Sequence, residues 1–223
     1  MENLTDVQYL IKFVSKKEHA ESLCHGNLFM HSAEYYHQFK EQGQGDKGEA
    51  SIFSGVCIYR GGKYPIYCMA AVTSADIIDG SILINKRMVR DFKCQDGFVV
   101  LINFKLFQNR LKYLDTYGNP YHQGLVQYGI PSLELSKKWF SKNSLNHLFV
   151  KRPFFSYQKE YRIIVLDPLF PRMEKEVHDG MDMNVAYYDT SRTYHITKGL
   201  QDISQIYPIN LLRYDDDVYY IDL

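Results

Sequence analysis

The chain has 223 residues, with 26 lysines and arginines balanced by 26 aspartates and glutamates. That length supports one sizeable core, and the interspersed charge leaves no electrostatic footprint for tight nonspecific binding to nucleic acid or to an anionic membrane. Met1 to Asp6 carry neither a basic nor an apolar leader, no long apolar run is present, and Cys24, Cys57, Cys68 and Cys94 lack CxxC spacing, so the expectation is one cytoplasmic domain, with no membrane span, disulfide framework or structural zinc.

Gln8 to Val14 reads as a strand interrupted by Lys12. Ser15 is placed to cap a helix, with Glu18 at the capping-box position, Ala20, Leu23 and Cys24 on an apolar face and Gly26 at the end. Leu28 to His31 is a short strand, Ser32 can cap a helix over Ala33 to Gln42, and Gly43 to Glu49 is a polar, glycine-rich loop. Strand-like runs follow at Ala50 to Tyr59, Tyr64 to Val72, Phe98 to Phe104, Tyr161 to Leu166 and Thr193 to Lys198. Helical patterns lie at Asn85 to Lys93, Lys105 to Tyr113, Leu133 to Phe140 and Ser144 to Phe149. The tail, Tyr214 to Ile221, reads as a last strand after the acidic turn Asp215-Asp216-Asp217. Short strands outnumber helices without regular βαβ alternation, which predicts an α+β fold with a split, mostly antiparallel β-sheet core and flanking helices.

Common catalytic and binding signatures are missing. The glycines at 43, 45 and 48 do not follow a strand and open a helix, and no phosphate loop, GxSxG elbow or HExxH spacing occurs among the serines and the eight histidines. Asp46 and Glu49 are candidates for a ribose hydroxyl or a cation, but a calcium loop needs more oxygens at alternate positions; an exposed turn is the plain alternative. No metal is expected. Nineteen tyrosines and 13 phenylalanines against one tryptophan suit wet clefts and stacking surfaces for planar ligands. An AT-rich coding sequence gives the same bias.

The best candidate for chemistry is Phe154-Phe155-Ser156-Tyr157-Gln158-Lys159-Glu160-Tyr161-Arg162-Ile163-Ile164-Val165-Leu166, with a glutamate at the mouth of an apolar strand. Strand alternation puts Gln158, Glu160 and Arg162 on one face and Tyr161 and Ile163 on the other. The plain alternative is a solvated strand end carrying a Glu-Arg pair.

In chain order, an aromatic strand with a lysine (Tyr9 to Phe13), a helix ending in Gly26-Asn27-Leu28-Phe29-Met30-His31-Ser32, the Gly45-Asp46-Lys47-Gly48-Glu49 loop, the cysteine strand Ile66-Tyr67-Cys68-Met69, the Gln158 to Ile163 motif and Gly199 to Ile203 follow one another. This succession resembles a widespread group of uncharacterised bacterial and phage proteins whose folds are similar to ADP-ribosyltransferases. The resemblance implies NAD as substrate, a protein or nucleic acid as acceptor, and a role as toxin or phage-defence effector. It makes Glu160 the catalytic carboxylate, which suits a reaction that develops oxocarbenium character, with Gln158 orienting the acceptor. Lys12 or His31 would contact the pyrophosphate or adenosine ribose and Tyr9 or Tyr161 would stack on nicotinamide, with Ser32, Asp46, Glu49 and Arg162 completing the cofactor-contacting set. The superfamily's triads also carry His or Arg on a first strand and a hydroxyl residue on a middle one, and here Glu160 alone has an unambiguous counterpart. A second reading is therefore a noncatalytic module that senses a nucleotide or binds a partner protein, such as a phage-encoded inhibitor. A third is an assembly protein whose tyrosines build an oligomer interface.

Overall fold

The computed structural model describes residues 4–32, 35–36, 63–129, 145–167, 172–178, 181–187 and 191–223; the expected helix over 33–42 apart from Tyr35 and Tyr36, the 43–49 loop with Asp46 and Glu49, the strand over 50–59 and the helix over 133–140 lie outside them. The strands are β1 (Val7–Val14), β2 (Asn27–Ser32), β3 (Pro65–Thr73), β4 (Ile77–Ile78), β5 (Ser81–Asn85), β6 (Phe98–Asn103), β7 (Leu114–Asp115), β8 (Tyr121–Leu125) and β9 (Gln127–Tyr128). They continue with β10 (Val150–Lys151), β11 (Glu160–Val165), β12 (Arg172–His178), β13 (Met181–Tyr187), β14 (Ser191–Ile196), β15 (Ser204–Pro208), β16 (Arg213–Asp215) and β17 (Val218–Asp222). Short α-helices intervene among the described residues, α1 (Lys17–Cys24), α2 (Lys86–Asp91) and α3 (Phe104–Arg110), and Tyr35 and Tyr36 are helical.

The architecture is mixed α/β with mostly antiparallel strands. The main sheet runs β15-β6-β1-β3-β2-β14-β7, with β11 on β3 and β8 on β11, and it curls into a half-barrel. Among the described residues every ladder is antiparallel except the short β9–β10 pair. A smaller sheet, β16-β17-β5-β4, packs Ile82, Ile84 and Ile221 against Ile11, Val72, Val99 and Leu101 of the main sheet. The opposite face of the main sheet buries Leu10, Val100, Ile102, Tyr161 and Ile163 against Ala20 and Leu23 of α1 and Phe107 of α3.

Strand β3 forks the sheet. Ile66 is opposite both His31 of β2 and Ile164 of β11, and Ala70 is opposite both Ile11 of β1 and Glu160 of β11. Because a strand has two edges, β1 and β2 must share one of them, at opposite ends, while β11 takes the other. The β1–β3 ladder stops at Ile11 while β1 continues on β6 to Val14, so the shared edge opens around Tyr67 to Met69. A backbone carbonyl there needs a partner. Lys12 provides it: its Nζ donates to the Cys68 carbonyl at 2.7 Å.

Local chemistry explains several element ends. Asn85 and Asn103 cap α2 and α3 through side-chain oxygens that accept from the Arg87 and Leu106 amides. The cap expected at Ser15 does not form: Lys16 holds the cap position of α1 without a side-chain bond. The run expected as a helix over Ser144 to Phe149 is a 3-10 turn at Asn146–Phe149, and β4, β5, β7, β8, β9, β10, β12, β13 and β15 lie outside the strands expected from sequence. The acidic tail forms a hairpin, β16–β17, in which Asp216 and Asp217 take positive φ at the turn. No helix among the described residues is long and apolar enough to cross a membrane.

Gly26 closes α1 at φ +95°, with its amide bonded to Leu23 O and its carbonyl accepting from Ile196 of β14. A Cβ there would collide with the Ile196 carbonyl oxygen. Gly26→Ala is expected to cost about 1–3 kcal/mol from the φ alone, with the backbone clash adding to it. A urea midpoint equal to that of the parent protein would show that the helix–sheet junction gives way freely.

Candidate functional site

Glu160 opens β11, and the turn before it decides where its side chain goes. Pro153–Gln158 forms a 3-10 helix that Pro153 starts and Lys159 ends in the left-handed region at φ 42°. The chain therefore re-enters the sheet with Gln158 buried and Glu160 aimed inward. Glu160 is 6% exposed, Arg162 0% and Lys151 7%, so this is a buried ionic cluster and the solvated strand end of the plain alternative is overturned.

Both carboxylate oxygens of Glu160 are engaged. Arg162 Nε donates to Oε1 at 2.5 Å and Lys151 Nζ to Oε2 at 3.0 Å. The Cys68 thiol adds a further hydrogen bond to this carboxylate. Burial by itself pushes the carboxyl pKa up, but the charges of Arg162 and Lys151 more than offset this and hold it far below the usual carboxylate range. Arg162 also donates to the Leu148 carbonyl. Lys151 reaches Gln158 Oε1 at 2.9 Å, Gln158 Nε2 contacts the Tyr157 hydroxyl at 3.3 Å, and that hydroxyl donates to Asp91 of α2 at 2.6 Å. Burial first, and then the bond to Asp91, pushes the Tyr157 hydroxyl up to about 12. The chain of bonds ties the buried carboxylate to a helix on the far side of the turn.

Above the cluster, at the fork, lies a cavity of about 180 Å³ walled by Ile11, Phe13, Ile66, Met69 and Ala70, with Lys12, Cys68, Lys151, Gln158 and Glu160 supplying polar groups. Phe13, Tyr36 and Phe92 also border a second, more open cavity of about 380 Å³ that reaches His19, His31, Tyr35 and Cys94. Phe13 and Phe92 stack between the two, ring centroids 5.5 Å apart and 13° from coplanar. In the outer cavity His31 stacks on Tyr35 at 3.7 Å, and burial pushes the Cys94 thiol up to about 11. Removal from water likewise lowers the pKa of Lys12, with the neighbouring Cys68 and Glu160 acting the other way.

The structure gathers some of the residues singled out by sequence and scatters others. Glu160, Gln158 and Lys12 line the inner cavity and His31 the outer one. Gln158 arrives there from the end of a 3-10 helix, not from the strand register expected of it. Tyr161 cannot stack on a ligand in this cleft: it lies on the opposite face of β11, fully buried against Phe104. Arg162 is likewise inaccessible, enclosed between Glu160 and Leu148. Tyr9 sits at the edge of the inter-sheet core and Ser32 is buried where β2 meets Pro65; neither lines either cavity. Asp46 and Glu49 lie outside the described residues.

Of the twelve residues lining the inner cavity, the sequence singles out Lys12, Gln158 and Glu160 as site residues and not the other nine, Phe13, Phe92, Lys151 and Ile66 among them. Lys151 comes close through the reversal at Pro153, with β10 laid parallel on β9. The strongest sequence signal for it is a lysine directly before Arg152-Pro153, a point where a strand ends and a turn begins.

The arrangement can hold a planar group between apolar walls with donors at one end. A carboxylate this heavily paired is a poor proton acceptor, and its stabilising charge is already neutralised by its two cationic neighbours. Comparison of the chain with protein-family models, with curated proteins and with solved structures finds no match.

Proposed function

We propose that the forked-sheet cleft binds a nucleotide of the NAD class and does so as a sensor or partner-regulated module without turning it over. The observation that carries the reading is the fork itself: β1 and β3 part over a ring-sized apolar cavity floored by Glu160 with Lys151, and that cavity leads past Phe13 and Phe92 into a wetter one. A planar base suits the inner compartment, because cavities near 150 Å³ lined by aliphatic and aromatic groups take up a single ring. The sugar and phosphates would extend toward His19, His31 and Tyr35.

Turnover is the second reading, favoured by one specific observation: Glu160 does border the cavity. For ADP-ribosyl transfer, Lys151 would have to leave Glu160 so that the carboxylate could face the developing oxocarbenium. In the resting geometry both oxygens are held.

Titration calorimetry with NAD, paired with an assay for released nicotinamide in the presence and absence of cell lysate, separates these readings. Saturable binding without release is expected, with Phe13→Ala weakening it about tenfold, or about 1.4 kcal/mol. Absence of binding under both conditions would sink the nucleotide reading. Release that vanishes in a folded Glu160→Gln protein would replace the sensor with the transferase.

A further inference from the structure

Lys12 is the feature of the inner cavity that the ionic cluster does not explain. It lines the cavity, yet among the described residues the groups in contact with its ammonium are neutral: the Cys68 carbonyl at 2.7 Å and the face of Tyr67 at 4.5 Å from Nζ to the ring centroid. Glu160 is near enough to act on Lys12 through its charge, but its oxygens are engaged by Arg162 and Lys151. An ammonium carries three donors, and one of them accounts for the bond to Cys68. A cation so placed between apolar walls is complementary to a ligand that brings its own negative charge on an apolar body.

The size of the cavity narrows the choice. At about 180 Å³ it is of the order of the roughly 150 Å³ that holds a six-membered ring, with room for one small substituent. A phosphate or a sugar would waste the apolar contacts of Ile11, Phe13, Ile66 and Met69. We propose that the inner cavity is a subsite for a planar aromatic ring bearing a carboxylate, with Lys12 as the residue that distinguishes the acid from the corresponding amide. This rests on the nucleotide reading of the cleft only for what lies beyond the ring. Applied to a dinucleotide, it selects the form whose pyridine carries a carboxylate over the form whose pyridine carries a carboxamide.

The test uses the full chain and two matched pairs of probes by calorimetry: nicotinate against nicotinamide, and the carboxylate-bearing dinucleotide against NAD. The acid is expected to bind at least tenfold more tightly in at least one pair. Lys12→Met, which keeps the length of the side chain and removes its charge, is expected to erase that preference. Equal or weaker binding of the acids in both pairs overturns the proposal, and so does a preference that survives in Lys12→Met. If that variant fails to fold, the wild-type preference decides, and Lys12→Arg, which retains a cation, is expected to keep the sign of the preference. The two readings fail separately. NAD bound without any acid preference leaves the nucleotide site standing and removes this inference, whereas nicotinate bound with neither dinucleotide bound does the reverse.

Discussion

Arg162→Met is expected to lower the stability of the folded protein by about 3–5 kcal/mol, the cost of breaking a buried ion pair by deleting one partner. Arg162 is fully buried, and its loss leaves the Glu160 carboxylate with one cation fewer and the Leu148 carbonyl without this donor. Charged residues at such depth persist because every remaining polar atom is bonded, so removing one does more damage than never having buried the set. With each kcal/mol worth about 2–4 °C in a chain of this size, the thermal midpoint should fall by about 10 °C. Lys105→Met on the exposed face of α3 is the control, with an expected change within about 0.5 kcal/mol. If both variants melt together, the cluster contributes nothing to the fold. A double change, Glu160→Leu with Arg162→Met, is expected to recover part of the loss, because replacing a whole buried pair by apolar groups is often close to neutral.

Strand periodicity made much of this fold legible. All six residues of β11 are buried because both faces are covered, by α3 and the half-barrel core on one side and by Ile66 and Leu148 on the other. Tyr64 to Val72 and Phe98 to Phe104 read as strands for the same reason, and Asn85 and Asn103 sit where helix starts need a capping oxygen. By contrast, β8 and β15 contain His122, Gln123, Gly124 and Pro208, which give no alternating apolar signal. They are strands because β11 and β6 offer them open edges, a tertiary cause that local composition does not carry.

The site was legible at one residue and obscure around it. A glutamate at the head of an apolar strand was conspicuous, yet whether it is solvated or buried depends on Lys151, which reaches it only because the chain reverses at Pro153–Gln158. Period-two alternation excluded Tyr161 from the face of Glu160, so the expectation that it stacks on a ligand there contradicted the strand's own geometry. In the sequence Lys12 is a polar interruption of β1. Its meaning came from the fork, where β1 leaves β3 and a backbone carbonyl must find another donor.

Glu160→Gln tests the same cluster from the other side, and its signature is in the pH dependence. At neutral pH the change leaves Arg162 and Lys151 facing an uncharged amide, a loss of about 3 kcal/mol by the measure of broken buried pairs. Because Arg162 and Lys151 hold the folded-state carboxyl pKa well below its value in the unfolded chain, the native state resists protonation there. The stabilisation that Glu160 contributes is therefore fully present above the ordinary glutamate range, about 4.3, and is lost as pH falls toward the depressed folded value. The variant has no such contribution to lose. Asp76, held low by Lys159 and Thr73 against the opposing effect of burial, and Asp91, held low by Tyr157 and Arg90 in the same way, remain in both proteins and give both an acid limb. The gap between wild type and Glu160→Gln in urea midpoints should then be widest near pH 7 and narrow steadily below about pH 4. A gap of constant size down to the pH at which both proteins unfold would mean that Glu160 is not held ionised by its neighbours, and the inner cavity would lose its charged floor.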